Sequence, residues 1–187
     1  VRAAKDAGID AVICWDHAVI RAAQAVGLEV HVSTQASVAN TEAARFYEEM
    51  GITRVVLARE CSLDHIRAIK QNTGLEIEAF VHGAMCVSIS GRCFMSQFTT
   101  CRSANRGACV QPCRRNYLIK DTEGEFEFEV GPNYILSPQD LCTLPFLEEL
   151  MMADIDCFKI EGRNKGPEYV SDVTSVYRNM IDLVWEH

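Results

Sequence analysis

Gly27-Leu-Glu-Val-His-Val-Ser33 decides the fold, because a glycine that can end a helix is followed at once by a short apolar strand pattern. The same arrangement follows Gly8, Gly51 and Gly74. The strands predicted in this way are residues 9–15, 28–33, 52–58 and 75–81, and the helices between them are 17–26, 38–50 and 63–72. Strands that alternate with helices at this spacing form a parallel sheet with the helices packed outside it.

The repeated units predict an α/β fold of the parallel (β/α) barrel type, TIM-like, with an open doubly wound sheet as the alternative. A complete eightfold barrel needs about 200–250 residues, whereas this chain has 187, of which part is irregular. The first residue is Val1, inside a helical pattern. We therefore expect residues 1–187 to be one domain and a fragment of a longer chain, lacking the first strands of the barrel.

The regular pattern stops after residue 81. Residues 82–132 are loop-like and rich in cysteine and arginine, with a hairpin pattern over 117–130. The alternation then resumes with strands at 134–137 and 157–160 and helices near 144–152 and 168–185. A long irregular insertion after a central strand of a compact domain is usually functional.

Composition excludes several classes of protein. The chain is 48% hydrophobic and 24% charged with a formal net charge of −8, which excludes disordered, collagenous and low-complexity chains. No run approaches the roughly 18 apolar residues of a membrane span, and the start does not resemble a signal peptide. We therefore expect a cytoplasmic protein with no membrane partner.

Nine cysteines are many for a chain of this length, and they fall into two groups. Three lie in or beside apolar stretches, as buried small side chains do: Cys14, Cys61 and Cys157. The others are Cys86, Cys93, Cys101, Cys109, Cys113 and Cys142. An odd total without a secretion signal argues against an extracellular disulfide framework. Because thiolates are soft ligands, the second group predicts a metal or iron–sulfur site.

Residues 78–96 read Glu-Ala-Phe-Val-His-Gly-Ala-Met-Cys-Val-Ser-Ile-Ser-Gly-Arg-Cys-Phe-Met-Ser. This stretch resembles the signature of the peptidase U32 family, which asks for Glu, Phe, Gly, a small residue, an aliphatic residue and Cys, then Gly, Cys, an aliphatic residue and Ser. The chain meets every position. Asn-Arg-Gly-Ala-Cys at 105–109, Cys-Arg-Arg at 113–115, Leu-Ser-Pro-Gln-Asp-Leu-Cys at 136–142 and Phe-Lys-Ile-Glu-Gly-Arg at 158–163 are also similar to the family.

The resemblance implies two different activities. Some members carry a collagenase label, whereas others are tied to oxygen-independent hydroxylation of tRNA uridine, ribosomal RNA cytidine or the ubiquinone ring, with a [4Fe–4S] cluster and prephenate as the implied oxygen donor. In the hydroxylating members, the cluster ligands match Cys86, Cys93 and Cys109. The fourth ligand is Cys142 or Cys113. We favour Cys142, because a ligand in a segment expected at a strand end would tie the irregular loop to the barrel; Cys101 matches no family ligand.

The residues themselves give a peptidase little support. The chain contains neither His-Glu-x-x-His nor Gly-x-Ser-x-Gly. His82 precedes Cys86 by four residues and is a candidate catalytic residue, although a structural role is the simpler interpretation. The spacing of Cys86, Cys93, Cys109 and Cys113 lacks the paired Cys-x2-Cys knuckles of a zinc ribbon and suits a cluster better. Zinc, and a purely structural metal-binding module, remain alternatives.

Charge is distributed unevenly. No acidic residue lies between Glu78 and Asp121, where five arginines and one lysine give a segment of +6. Arginine forks suit the phosphates of RNA or the carboxylates of an oxygen donor. Alternatively, these arginines offset the negative charge of a thiolate-bound cluster. The candidate anion-binding residues are Arg92, Arg106, Arg114 and Arg115.

Polar residues also follow the predicted strands. Alternation points Lys159, Glu161 and Arg163 to one side of the chain, so Glu161 and Arg163 are candidate catalytic residues at the mouth of the barrel, with an internal salt bridge as the alternative. Asp16 and residues 33–35 are predicted to line the same mouth. The expected substrate is an RNA or a small ring compound, or a peptide in the alternative, and a partner protein or further domains of the chain are possible participants.

Overall fold

A parallel sheet forms the centre of the computed structural model, which describes residues 1–130, 136 and 139–186. The strands of the chain are β1 (Ala11–Cys14), β2 (Glu29–Val32), β3 (Arg54–Val56), β4 (Glu76–Gly83), β5 (Tyr117–Lys120), β6 (Glu127–Val130), β7 (Leu141–Cys142) and β8 (Cys157–Ile160). β1 to β4 pair in chain order, all parallel. β8 pairs in parallel with the other side of β4, and β7 pairs antiparallel with the end of β4.

The prediction of an α/β fold with a parallel sheet is confirmed. The strands predicted at 9–15, 28–33, 52–58, 75–81 and 157–160 are all present, with ends that differ by up to two residues. The strand predicted at 134–137 lies outside the described residues, except for Leu136. In the described part of the chain the strands follow an open path with β1 at one end, so closure into a barrel remains a prediction.

The helices are α1 (Arg2–Asp6), α2 (His17–Ala25), α3 (Thr41–Glu49), α4 (Leu63–Asn72), α5 (Met95–Thr100), α6 (Leu147–Met152) and α7 (Pro167–Trp185). The predicted helix at 38–50 begins only at Thr41, because the Asn40 side chain caps it by accepting a hydrogen bond from the Ala43 N–H at 2.8 Å. None of the described helices has the length and apolar content to cross a membrane.

The segment that follows β4 is more ordered than the sequence indicates. It contains α5, short 3₁₀ turns at Ala104–Arg106 and Pro112–Arg114, and the antiparallel hairpin of β5 and β6. The predicted hairpin over 117–130 is therefore present, and residues 84–116 are largely irregular, as predicted, apart from α5 and the two short turns. The helical turns in this segment are short and contain no long apolar run. They therefore leave no periodic pattern of hydrophobic residues in the sequence.

The main core lies between the sheet and the helices of the first units. Val32, Val55 and Ile77, from three neighbouring strands, are fully buried together with Ile20 of α2 and Ile69 of α4. Each such side chain contributes roughly 1.5–3 kcal/mol by leaving water. This packing fixes the strands whose carboxyl ends carry the polar residues.

A buried ion pair joins β4 to β8. Glu78 is 5% exposed, and its carboxylate accepts a hydrogen bond from the Lys159 ammonium. Phe80, two residues along β4, packs beneath the Arg59 guanidinium, with 4.0 Å from the guanidinium carbon to the ring centroid. An internal salt bridge is the alternative that the sequence allows for this segment. Lys159 forms such a salt bridge with Glu78.

Asp156 connects α4, β4 and β8. Its carboxylate accepts hydrogen bonds from Lys70 Nζ at 2.8 and 2.7 Å and from the Ile77 N–H at 2.6 Å. Burial by itself would raise the pKa of Asp156, but these hydrogen bonds and the Lys70 charge lower the pKa below its ordinary value. The ionised carboxylate therefore stabilises the junction.

Removal of the Glu78 carboxylate should destabilise the protein. Glu78→Ala leaves Lys159 without its buried partner, and we expect the free energy of unfolding in urea to fall by roughly 3 kcal/mol. Glu76→Ala is the matched control on the same strand, because Glu76 pairs with Arg54 at the surface with 49% of its side chain exposed. That variant should lose at most about 1 kcal/mol, and equal losses would contradict the assignment.

Asp156 should also make stability depend on pH. Because its pKa is lower in the folded than in the unfolded chain, its contribution is present above the unfolded value of about 3.9 and is lost as pH falls through the folded value. Asp156→Asn should therefore unfold at a lower temperature than the parent at pH 7, and the difference should shrink below about pH 4. Asp154→Asn, with its side chain 86% exposed, is the control and should show no such pH-dependent difference.

Candidate functional site

A cavity of about 950 Å³ opens at the carboxyl ends of the parallel strands, where α/β folds bind ligands. Its walls include residues that follow each of five strands: Trp15 and Asp16 after β1, Ser33–Gln35 after β2, Arg59 after β3, Ala84–Cys86 after β4, and Glu161–Arg163 after β8. The structure thus brings Asp16, residues 33–35, Glu161 and Arg163 to one mouth, as their strand-end positions predict.

Five cysteines line this cavity: Cys14 and four from the segment after β4, namely Cys86, Cys93, Cys109 and Cys113. Cys86 contacts Cys93, and Cys113 is buried. Burial raises the pKa of the Cys113 thiol first, and the charges of Cys86, Cys109 and Cys93 raise it further. Burial likewise raises the pKa of Cys86, whereas the Ser88 backbone and Arg59 act to lower it. The four sulfur atoms are therefore neighbours in one electrostatic environment.

Two glycines of the signature allow the cysteine-bearing loop to approach the strand ends. Gly83 has a φ of +103°, and a Cβ there would lie 2.3 Å from the Glu161 carbonyl oxygen. Gly91 has a φ of +77°, and its Cβ would lie 2.1 Å from the Gln35 carbonyl oxygen. Any larger residue would push Cys86 from β8 or Cys93 from β2.

Hydrogen bonds hold the same loop in place. Ser90 is buried, and its hydroxyl donates to Glu60 Oε2 at 2.8 Å. The Trp15 indole N–H donates to the Asn105 carbonyl at 3.0 Å, across the mouth of the cavity. The Asn105 side-chain amide donates to the Gly91 carbonyl at 3.3 Å. The loop is thus anchored to the residues that follow β1 and to those that follow β3.

Buried polar atoms without partners cluster at the cavity. Among the described residues, five buried side-chain polar atoms have no hydrogen-bond partner: Arg59 Nε, Asn105 Oδ1, Arg114 Nη2, Glu161 Oε2 and the Tyr169 hydroxyl. The first four belong to residues that line the cavity. Each such atom costs about 1–3 kcal/mol, and folded proteins leave few of them. Two donors and two acceptors therefore lie buried without a hydrogen-bond partner within the residues that form the cavity wall.

Arg59 is the functional candidate that the sequence analysis missed. Burial lowers the pKa of Arg59, while Cys86, Glu161 and Glu60 beside it act in the opposite direction. Its position directly after a predicted strand is the signal that could have identified it, since the same rule selected Glu161 and Arg163. Arg59 lies outside the arginine-rich segment that the charge distribution indicates.

The predicted anion-binding arginines occupy different places. Arg106 and Arg114 line the cavity, and Arg114 also pairs with Asp140 at 2.6 Å. Arg115 lines a second cavity of about 630 Å³, which shares Cys109 and Arg163 with the first. Arg92 lines neither of them.

His82 and Cys142 are not brought to the cavity. They face each other as backbone partners on β4 and β7. The pairing of β4 with β8 is irregular between Phe80 and His82, so Phe80 lines the cavity while the His82 ring packs against Tyr177 of α7 at 5.5 Å. Cys142 lies beside the Tyr177 hydroxyl and is exposed. The sequence favours Cys142 over Cys113 because the segment of Cys142 is expected to lie at the end of a parallel strand. β7 instead runs antiparallel to β4, so Cys142 does not occupy such a position.

The remaining cysteines are also placed by the structure. Cys61 and Cys157 are half-buried, and Cys101 is exposed. Cys14, predicted to be a buried apolar side chain, is half-buried and also lines the cavity.

The donor set fits an iron–sulfur cluster better than a single metal ion. Within the described ranges, no three His, Cys, Asp or Glu side chains are grouped closely enough to hold one ion. A zinc ion draws its ligands to about 2.0–2.3 Å from one centre. A [4Fe–4S] cluster instead takes four cysteine thiolates around a larger body. The four thiols of the segment after β4 that line the cavity are of the chemical type that such a cluster takes.

Comparison with known proteins identifies the same family as the motif at residues 78–96. The model of the family described as Peptidase family U32 matches residues 1–187. The chain is 42% identical to a protein named collagenase from Porphyromonas gingivalis, over 97% of this chain and 46% of the relative. It is 42% identical to tRNA hydroxylation protein P1 of Bacillus subtilis, over 97% and 44%, and 43% identical to the 23S rRNA 5-hydroxycytidine C2501 synthase of Escherichia coli, over 96% and 27%.

The chain spans less than half the length of each of these three relatives. Their names divide between a protease and RNA-modifying proteins, so the comparison identifies the family without choosing between the activities. Because the family match extends over every residue of the sequence, the chain belongs to the peptidase U32 family.

Proposed function

We propose that the protein is an iron–sulfur enzyme that hydroxylates a base of an RNA, or a similar ring, without molecular oxygen. The observation that carries the proposal is the convergence of four thiols and four unpartnered buried polar residues on one cavity. A peptidase needs no such set of thiols. The relatives named for tRNA and rRNA hydroxylation support RNA as the substrate.

In this proposal Cys86, Cys93, Cys109 and Cys113 hold a [4Fe–4S] cluster, with Cys113 in place of Cys142. When bound, a cluster held by these four thiolates would supply one-electron chemistry. The protein moderates the negative charge of the thiolates. The Gln111 N–H donates to Cys109 Sγ at 3.4 Å, and the Arg59 guanidinium acts on Cys86. Such contacts tune the reduction potential of a cluster.

The polar side chains of the cavity wall fit a small hydroxylated carboxylate as the oxygen donor. The Arg59 and Arg114 guanidinium groups would donate to carboxylate oxygens, and the Asn105 amide and the Glu161 carboxylate would accept from hydroxyl groups. Prephenate has both kinds of group, and a cavity of about 950 Å³ is large enough for it beside a ring. Overall, the ring C–H becomes C–OH, a two-electron oxidation, while the C–OH bond of the donor breaks and its carbon takes up the hydrogen and the two electrons as C–H.

We place this activity in the cytoplasm. All nine cysteines are free thiols, which suits a reducing compartment. The RNA substrates named for the relatives belong to the same setting.

The second candidate is a peptidase, favoured by the relative named collagenase. A cysteine or serine nucleophile requires a neighbouring base. Of the four histidines that the structure describes, His31 bonds Glu29, and His82 lies 3.4 Å from the Tyr177 hydroxyl. None of the four side chains is bonded to a serine hydroxyl or a cysteine thiol. Hydrolysis of a peptide by the cluster-free protein would establish this alternative.

The cluster ligands can be identified by single substitutions. Cys113→Ala should lose the cluster, because it removes one of the four thiols of the cavity, whereas Cys142→Ala should retain it. Iron and sulfide counts after anaerobic purification, together with the visible spectrum, measure the outcome. Cys101→Ala, at an exposed thiol, is the control for the loss of any cysteine. An iron-free Cys142→Ala protein beside a loaded Cys113→Ala protein would reverse the assignment.

Arg59 should bind the oxygen donor without holding the cluster. Arg59→Gln should retain iron and weaken prephenate binding about 10- to 100-fold, as expected for the loss of a charge-assisted hydrogen bond of roughly 1.5–3 kcal/mol. Calorimetry on the cluster-loaded protein gives the affinity. Arg92→Gln, outside both cavities, should leave it unchanged. Equal binding by the parent and Arg59→Gln would remove the donor site from this cavity.

A further inference from the structure

Two phenylalanine rings stand in water beside the thiol cavity. Phe94 is 64% exposed and Phe98 is 92% exposed. The Phe98 N–H donates to the Phe94 carbonyl at 2.8 Å, so the two residues are one helical turn apart and share a face of α5. Phe94 directly follows Cys93, which lines the cavity. Large apolar rings exposed in a pair at the edge of a site mark an interaction surface.

The element that presents these rings is held firmly. Ser96, between them in α5, is fully buried, and its hydroxyl accepts a hydrogen bond from the Val110 N–H at 3.2 Å. The side of α5 away from the rings packs against the turn Pro112–Arg114, which contains the cavity cysteine Cys113. The rings therefore keep a fixed position relative to the thiols.

Two exposed arginines flank the rings in the sequence. Arg92 lies two residues before Phe94, and Arg102 lies four residues after Phe98. Neither arginine forms an ion pair with a described side chain, and both are exposed. Arg102 lines the second cavity, which adjoins the first through Cys109. A partner for this surface must be anionic and must offer flat groups that can stack.

We infer that Phe94 and Phe98, with Arg92 and Arg102, form the docking surface for unpaired nucleotides of an RNA. Proteins bind single-stranded nucleic acid by stacking bases on aromatic rings and meeting the phosphates with arginine. Stacked neighbours on this surface would leave one base free to enter the cavity beside Cys93. This inference rests on the proposed RNA substrate and adds the surface that receives it.

The test is the affinity for a fluorescein-labelled single-stranded RNA of 12 nucleotides, roughly the length that one such site covers, measured by fluorescence anisotropy. The double variant Phe94→Ala/Phe98→Ala should bind at least 10-fold more weakly, and its unfolding temperature should not change, because both rings are exposed. Phe126→Ala is the matched control. Phe126 is 70% exposed, but it lies between Glu125 and Glu127 in the hairpin, so its loss should leave RNA binding unchanged.

The arginines have a separate readout. For single strands, the slope of log affinity against log salt falls by about 0.7 for each phosphate that the protein no longer neutralises. Arg92→Gln and Arg102→Gln should each reduce the slope by about that amount. Unchanged slopes in both variants would remove the phosphates from this surface.

Because RNA affinity and hydroxylation are measured separately on the same protein, the test of the docking surface can be distinguished from the test of the proposed function. If RNA binding depends on the two rings but the protein does not hydroxylate RNA, the docking surface is supported and the proposed enzymatic activity is contradicted. Unchanged RNA affinity in the double variant, with hydroxylation intact, would overturn the surface alone. A fall of several degrees in the unfolding temperature of the double variant would also overturn it, since the rings would then be covered by protein.

Discussion

β4 pairs with β8 although residues 84–156 separate the two strands in the sequence. The site depends on this one pairing. The pairing closes a long loop at an entropic cost that grows only slowly with loop length. The register of this pairing is fixed by the Glu78–Lys159 ion pair and by the hydrogen bond that the Asp156 carboxylate accepts from the Ile77 N–H. Only in this register does Gly83 lie against the Glu161 backbone, so that the start of the cysteine-bearing loop and the end of β8 share a wall.

The sequence predicts those parts of the fold that local physics dictates. The glycines that end helices and the short apolar strands that follow are local signals, and they locate β1 to β4 and β8. Strand direction is not local: residues 141–142 look the same whether they run parallel or antiparallel to β4, and only the partner decides. For that reason the sequence favours Cys142 as a ligand, although the structure places Cys113 with the other three thiols.

The site is predictable in outline and not in detail for related reasons. The thiols and the strand-end residues Glu161 and Arg163 follow from motif and alternation. A strict alternation would also put His82 beside Phe80, but an irregularity in the pairing with β8 separates the two. The unpartnered atoms of Arg59 and Asn105 could not be foreseen, because they arise from which groups burial brings together rather than from any spacing along the chain.

The long separation between β4 and β8 has a consequence for biosynthesis. At roughly 5–20 residues per second, a ribosome takes about 4–15 s to synthesise residues 84–156 after β4 has emerged. During that interval β4 pairs with β3 but lacks β8, and the Glu78 carboxylate lacks the Lys159 ammonium that pairs with it in the folded protein. The cysteine-bearing loop is complete well before the wall that contains Glu161 exists. The cavity that the thiols line is therefore completed only once β8 has been synthesised, and a cluster delivered to the complete cavity must arrive after that point.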